Sequence, residues 1–269
     1  MRGPIRLAFI GWGAVSRRCA RLLGEESGVA EIVAIGVRDK TRLRPDLPLG
    51  AQILSNPDEL RACELEAVVE AANRDAVEPW GRVALQQAKT YVISSTSAFC
   101  DPRVLEALSA IADTNGSHIL IPPGALGGID ALFAAARLSL ADVLHTIVKP
   151  PEAWRGTAAE TVVDLGGLKR AEVLFSGTAR EAARRFPLNA NTTAITALAG
   201  LGLDRTRVVL VADPAAKGNR HKLSAHGDFG ALNIDIENRA LADNPKSSEL
   251  TALNIVRVIT NITRPVVFA

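Results

Sequence analysis

A short apolar run that ends in glycines and passes directly into a helix constrains this chain more than any other feature. "IRLAFIGWGAVSRRCARLLGEE" begins with a strand-like run at residues 5–10 and turns through "GWG". It continues with helical spacing, in which Ala20, Leu22 and Leu23 fit one packed face. Four further apolar runs follow: "AEIVAIGVRD", "LEAVVEAAN", "TYVISSTSAF" and "SHILIPPGA". Helical segments such as "EPWGRVALQQAK" and "DPRVLEALSAIADTNG" lie among them. Strands alternating with helices predict parallel βαβ units. Residues 1–122 therefore read as an α/β dinucleotide-binding domain, built on an open, doubly wound parallel sheet of the Rossmann type.

The pattern changes after about residue 125. "LHTIVK", "RAEVLFSG", "RTRVVLVAD", "RHKLSAHG" and "ALNIDIENR" read as strands, accompanied by helices over "GIDALFAAARLSL" and "NTTAITALAGLGL". Leu232, Ile234 and Ile236 alternate with Asn233, Asp235 and Glu237, the signature of a half-buried strand. A second α+β domain over residues 123–245, with a mixed or antiparallel sheet, is expected. The last helix is expected within residues 246–269. "SSELTALNIVRVITNI" has a serine cap signal and apolar residues at 250, 253, 256 and 259, and it should return to the first domain.

Composition narrows the function classes. With 48% hydrophobic and 22% charged residues, and 31 basic against 29 acidic side chains, the chain has no polyelectrolyte character. Neither a nucleic-acid stripe nor a polybasic membrane segment is expected. No apolar run approaches the roughly 18 residues of a membrane span. With the first strand starting so early, no signal peptide is expected. Cys19, Cys63 and Cys100 are scattered and lack CxxC spacing, so the expectation is a reduced, cytoplasmic protein without a structural metal. A homodimer or higher homo-oligomer is expected.

In "FIGWGAVS", Gly11 permits the tight turn. Gly13 lets a pyrophosphate approach the backbone at the positive end of the helix that Ala14 and Val15 open. Ser16 stands where this fingerprint usually has Gly or Ala. Asp39 follows 23 residues beyond Ser16, placed to hold the adenosine ribose hydroxyls of NAD. Arg38 beside it could equally meet the 2′-phosphate of NADP, with Arg42 and Arg44 as further candidates. Either cofactor fits these residues.

Chemistry-bearing residues gather in the second half. "PPGALGGIDAL" places a glycine-rich loop before a helix, suited to close approach of a ligand to backbone. "FPLNANTTA" sets Asn189 and Asn191 just before a helix. "GNRHKLSAHG" holds two of the four histidines. Strand alternation puts His221 with Leu223 and Ala225, and His226 on the opposite face with Arg220, Lys222 and Ser224. An odd separation of five means that the two cannot share a site, so at most one is expected to be catalytic.

The stretches "PPGALGGIDAL", "KPPEAWRGT", "FPLNANTTAITALAGLGLD", "ADPAAKGNRH" and "NPKSSELTA", in this order and spacing, resemble the L-aspartate dehydrogenase family. With "IGWGAVS" the resemblance covers nearly the whole chain. Two departures stand out: Ser16, and "SSTSAFCD" where the family tends to have a serine–small–glycine loop. The resemblance implies NAD(P)-dependent oxidative deamination of L-aspartate, through iminoaspartate, to oxaloacetate and ammonia, or the reverse amination. It implies that His221 is the active-site histidine and that Ala125 and Asn191 contact the cofactor. It also implies supply of iminoaspartate to NAD biosynthesis through a quinolinate-forming partner enzyme.

Imine hydrolysis needs a group that moves protons near neutral pH, which an imidazole supplies. His118, His145 and His226 are expected as surface or satisfied core residues. A dicarboxylate also needs cationic or amide partners. Lys149, Asn189 and Thr192 are the candidates at strand and helix ends, with Arg155, Lys217, Arg220 and Lys246 as further cations. A dihydrodipicolinate-reductase-like or homoserine-dehydrogenase-like enzyme shares the architecture, although the paired histidines and lysine of the former are absent. A non-catalytic NAD(P)H-binding redox sensor is the alternative of a different class.

Overall fold

The computed structural model describes residues 3–26, 28–44 and 46–268. The chain divides into two units, Met1–Pro122 with Thr251–Ala269, and Pro123–Leu250. In the first, β1 (Ile5–Ile10), β2 (Ala30–Gly36), β3 (Gln52–Leu54), β4 (Ala67–Glu70), β5 (Thr90–Ile93) and β6 (His118–Leu120) form one parallel sheet. Its order is β3-β2-β1-β4-β5-β6. β4 and β5 are buried at every position, which is why they read as continuous apolar runs rather than alternating ones. β3 was not expected: three residues with one buried side chain, Leu54, carry too little periodicity to see.

Three helices connect these strands: α1 (Ala14–Glu25), α2 (Arg74–Gln87) and α3 (Pro102–Asn115). Local chemistry sets their ends. Asn73 caps α2 by accepting from the Asp75 amide, and Asp101 caps α3 in the same way ahead of Pro102. Gly116, at φ 59°, terminates α3 in the left-handed conformation that glycine adopts without strain. From β1 the chain winds outward through β2 and β3, then returns to place β4 on the other flank of β1. The crevice at the carboxyl ends of β1 and β4 is thus the topological switch point, where such sheets bind ligands.

The second unit carries a five-stranded mixed sheet. β7 (Leu140–Lys149), β8 (Glu172–Thr178), β9 (Arg207–Ala212), β10 (Asn219–Gly227) and β11 (Gly230–Asn238) take the order β11-β10-β7-β9-β8. Only β7 and β9 run parallel; the other pairs are antiparallel. α4 (Ile129–Ala135), α5 (Ala179–Arg185) and α6 (Ala190–Ala199) belong to this unit. α4 is shorter than its apolar run suggested, because Leu140 already belongs to β7. One sheet face is covered by helices: Ile147, Val208 and Leu210 pack with Ala182, Phe186 and Ala197, and Val143, Leu223 and Ala225 pack with Leu132 and Ala199. On the other face Lys222, His226, Asn233, Asp235 and Glu237 are exposed.

A two-stranded ribbon, β12 (Ala240–Leu241) with β13 (Asn244–Ser248), precedes α7 (Glu249–Thr263). Residues 246–248, expected to open the last helix, are strand instead. The buried stripe of α7 also differs from the expected 250, 253, 256 and 259: Ala252, Ile255, Val256 and Ile259 are buried, whereas Leu253 is 42% exposed. These four side chains join Ile5, Leu7, Phe9, Cys19 and Leu23 in one core, so α7 completes the first unit. Among the described residues, no helix is long and apolar enough to cross a membrane.

Candidate active site

The turn after β1 is shaped by two glycines with different duties. Gly11 sits at φ 91°, and a Cβ there would lie 2.7 Å from Ala72 Cα, so a side chain is excluded by both conformation and space. Gly13 is the N-terminal cap residue of α1, and a Cβ added to it would meet nothing within 4 Å. That open space over the amides of a helix N-terminus, where Ala14 and Val15 begin the first turn, is what a pyrophosphate needs. Ser16 is fully buried, so this position demands a small residue, and its hydroxyl has no hydrogen-bond partner among the described residues.

Arg38 and Asp39 are exposed beyond the end of β2. Asp39 Oδ1 accepts from the Thr41 amide at 2.8 Å and the Thr41 hydroxyl at 2.6 Å, which hold the carboxyl below its ordinary pKa. Arg44 donates to the Arg42 carbonyl at 2.7 Å. Across the switch point, Glu70 ends β4 fully buried. Its carboxylate accepts from the Ser95 hydroxyl at 2.8 Å and from the amides of Ser95 and Ala72 at 2.9 and 2.8 Å. Burial pushes its pKa up, while those bonds oppose the rise. Sequence reading passed over Glu70; the signal was a lone charge closing the apolar run "AVVE".

In the second unit, strand register builds the chemistry. His221 lies opposite Ile147, and Leu223 opposite His145, in the antiparallel β10–β7 pair. His145 and Lys149 are therefore the diagonal neighbours of His221 on one sheet face. His221 Nδ1 is 3.0 Å from His145 Nε2, and both rings are buried. α6 covers them: Thr196 Oγ1 is 3.1 Å from His145 Nδ1. Asn189, at the cap position of α6, makes no side-chain cap bond; its Oδ1 accepts instead from Lys149 Nζ. The Lys149 ammonium also lies 5.3 Å from the centroid of the Trp154 ring. Thr192 Oγ1 and Thr193 Oγ1 donate to the Asn189 carbonyl, tying the turn to the helix.

Burial dominates the electrostatics here. It lowers the pKa of Lys149 to about 8 and that of His145 to about 4. His221 is held well below the ordinary imidazole range, first by burial and then by the neighbouring His145 and Lys149. The arrangement is a neutral imidazole beside a cation whose amide partner fixes its position. It can accept a proton at His221 and attract a carboxylate at Lys149.

Comparison with known proteins gives the family. Residues 130–262 match the family model described as aspartate dehydrogenase, C-terminal, and residues 11–122 match that of the homoserine dehydrogenase NAD binding domain. An L-aspartate dehydrogenase of Brucella anthropi is 52% identical over 255 residues, covering 95% of each chain. One from Pseudomonas aeruginosa is 40% identical over 262 residues, covering 96% of this chain and 97% of the relative. The chain belongs to the L-aspartate dehydrogenase family. The crystal structure of aspartate dehydrogenase from Thermotoga maritima superposes with a TM-score of 0.77 at 26% identity, covering 98% of this chain and 99% of that one. The C-terminal match sets aside the homoserine-dehydrogenase-like and dihydrodipicolinate-reductase-like alternatives.

Within this family member, the structure brings Lys149 and Asn189 into contact and sets Lys149 beside His221, with Thr192 on the adjoining helical turn. Ala125 is buried, and its carbonyl accepts from Asn238 Nδ2 at 3.0 Å; Asn238 Oδ1 in turn accepts from Ser248 Oγ at 2.8 Å. Asn191 is exposed in the first turn of α6 rather than ahead of it. Of the other cations, Arg155 and Lys217 are exposed, and Arg220 is paired with Asp235 on the opposite sheet face. The Lys246 side chain lies outside the described parts. His118 and His226 are exposed, whereas His145, expected as an ordinary surface or core residue, is a direct partner of His221.

Proposed function

We propose that the chain catalyses NAD(P)-dependent oxidative deamination of L-aspartate to oxaloacetate and ammonia, and its reversal, with His221 as the proton acceptor. The observation that carries this reading is the β10–β7 register, which sets His221 beside Lys149 on one buried face. A bound nicotinamide cofactor would supply the hydride acceptor for the amino acid's α-carbon, in the oxidation that turns the amine into an imine. The space over Gly13 and the α1 N-terminus fit its pyrophosphate, and Asp39 fits the ribose hydroxyls.

Water then adds to the imine carbon. His221 Nε2 takes the proton that water loses as its oxygen bonds to the carbon of the protonated imine, and returns it to the nitrogen. It then takes the hydroxyl proton as the carbonyl forms and the C–N bond breaks; ammonia leaves and the last proton passes to solvent. Lys149, steadied by Asn189, pairs with a substrate carboxylate; that anion restores the charge which burial disfavours. Thr192 supports the Asn189 turn, and Ala125 and Asn191 belong to the cofactor side of this reading. Release of the imine before hydrolysis would supply NAD biosynthesis. A homodimer or larger assembly completes the reading, and sedimentation velocity tests it.

The test is NADH oxidation with oxaloacetate plus ammonium, compared with 2-oxoglutarate and pyruvate. Turnover confined to oxaloacetate is expected; NADH binding without turnover of any oxo acid would instead mark a redox sensor. Cofactor choice is read from Arg38 and Asp39. Asp39→Ala should weaken NAD more than NADP, because a 2′-phosphate gains nothing from a neighbouring anion, and Arg38→Ala should show the opposite bias. Equal losses for both cofactors in both variants contradict the assignment.

A further inference from the structure

We propose that His145 and Thr196 form a tautomer lock, positioning residues that hold His221 with its proton on Nδ1 and a bare lone pair on Nε2. The inference rests on the proposed role of His221 and adds the device that presets it.

The derivation follows hydrogens along one chain of contacts. Thr196 has a single hydroxyl hydrogen; its Oγ1 lies 3.1 Å from the Thr192 carbonyl oxygen, a group that can only accept, and we assign the hydrogen to that bond. With its hydrogen spent there, the hydroxyl presents a lone pair to His145 Nδ1, 3.1 Å away. His145 Nδ1 must therefore carry hydrogen. A neutral imidazole carries only one, so His145 Nε2 is bare and acts as an acceptor. His221 Nδ1, 3.0 Å from it, must then donate. The hydrogen of His221 is consequently on Nδ1, and Nε2 is the basic nitrogen. Burial supports neutrality of both rings by holding their pKa values down.

The lock reaches its target through buried groups only: Thr196, His145 and His221 all have at most 5% of their surface exposed. No water need compete for the intermediate hydrogen bonds. When Nε2 takes a proton, the Nδ1 hydrogen remains bonded to His145 Nε2, so the cation forms without rearrangement of the ring. An unlocked imidazole divides between two tautomers, and the one protonated on Nε2 cannot accept the proton of water.

Histidine-selective 15N NMR of the full-length protein near neutral pH reads the tautomers directly. We expect a protonated Nδ1 and an unprotonated Nε2 on both buried rings; the reverse pattern overturns the lock. Thr196→Val removes the acceptor while keeping the shape, leaving a buried Nδ1–H without a partner. It should move protonation of both rings to Nε2 and lower kcat by roughly 10²-fold or more, within the scale of general-base and wrong-tautomer losses. NADH affinity should stay unchanged, and Thr196→Ser, which keeps the hydroxyl, should restore most of the rate. A valine variant with wild-type tautomers and wild-type kcat overturns the proposal. Should that variant not fold, the wild-type spectrum still decides. A locked spectrum combined with full turnover by His221→Ala refutes the proton-acceptor role but not the lock; a reversed spectrum with an inactive His221→Ala does the opposite.

Discussion

His221 and His226 share a strand, and one position of parity separates a buried ring from an exposed one. His221→Ala should lower kcat by about 10²–10⁴-fold, the usual contribution of general acid–base catalysis, with little change in NADH binding. His226→Ala should leave turnover nearly intact. Steady-state kinetics with L-aspartate check the pair, and an inactive His226 variant beside an active His221 variant would reverse the assignment. Lys149 yields a separate, pH-dependent expectation. Its pKa is lowered from 10.5 to about 8 by burial, so between these values the unfolded chain binds more protons at this group than the folded one. Stability from Lys149 therefore rises with pH across that window, and below about pH 8 the penalty, on the order of 3 kcal/mol, is fully present. Lys149→Met should be the more stable protein at neutral pH, and its advantage should shrink as pH climbs toward 10.5. Urea denaturation of both proteins through this range is the check; an advantage that grows with pH contradicts the assignment.

At the scale of elements, the β1–α1 turn separates folding from binding. Any side chain at Gly11 collides with the backbone of Ala72, so a substitution there damages the fold itself. Gly13 has ordinary backbone angles, φ −89° and ψ −172°, and open space where a side chain would stand. Gly13→Val should therefore fold, losing about 1 kcal/mol or less from a poorer helix cap, while NADH binding is abolished by occupation of the phosphate space. Fluorescence titration with NADH, alongside thermal melting, distinguishes the two effects. Unchanged NADH affinity in the folded variant would exclude this turn as the phosphate site. α6 illustrates the same division of labour: Asn189 occupies its cap position but gives its side chain to Lys149 rather than to the helix amides.

For the molecule as a whole, the last helix belongs to the first unit. Ala252, Ile255, Val256 and Ile259 of α7 pack with β1 and α1 side chains separated from them by more than two hundred residues. Ile255 is fully buried, so Ile255→Ala should cost about 2–5 kcal/mol. Hydrogen exchange should accelerate in Ile5–Ile10 and Ala14–Glu25 more than in the β7–β10 pair of the other unit. Faster exchange confined to β7 and β10 would place the helix's contribution elsewhere. The contacts of α7 with β1 and α1 join segments more than two hundred residues apart, and non-local contacts of this kind slow folding.

Local periodicity carried what was legible in advance. Alternating apolar runs and helical segments pointed to a parallel sheet followed by a mixed or antiparallel one, because strand and helix repeats of 2 and 3.6 residues are properties of neighbours in sequence. The same parity separated His221 from His226, and the glycines marked the tight β1–α1 turn with open space at Gly13. Even the spacing of His145 and Lys149, four apart in one strand, placed both on one face. That this face is also the face of His221 could not be read there, since 76 residues separate the two histidines and only the β10–β7 register aligns them. Likewise Glu70 is ordinary in sequence until folding buries it against Ser95, and the stripe of α7 shifts to the side chains its neighbours can cover. The sequence by itself determined the longer elements and the parity of the strand that holds His221 and His226; tertiary pairing alone decided that His145, Thr196 and Lys149 surround His221, because hydrogen-bond register joins segments that share no local signal.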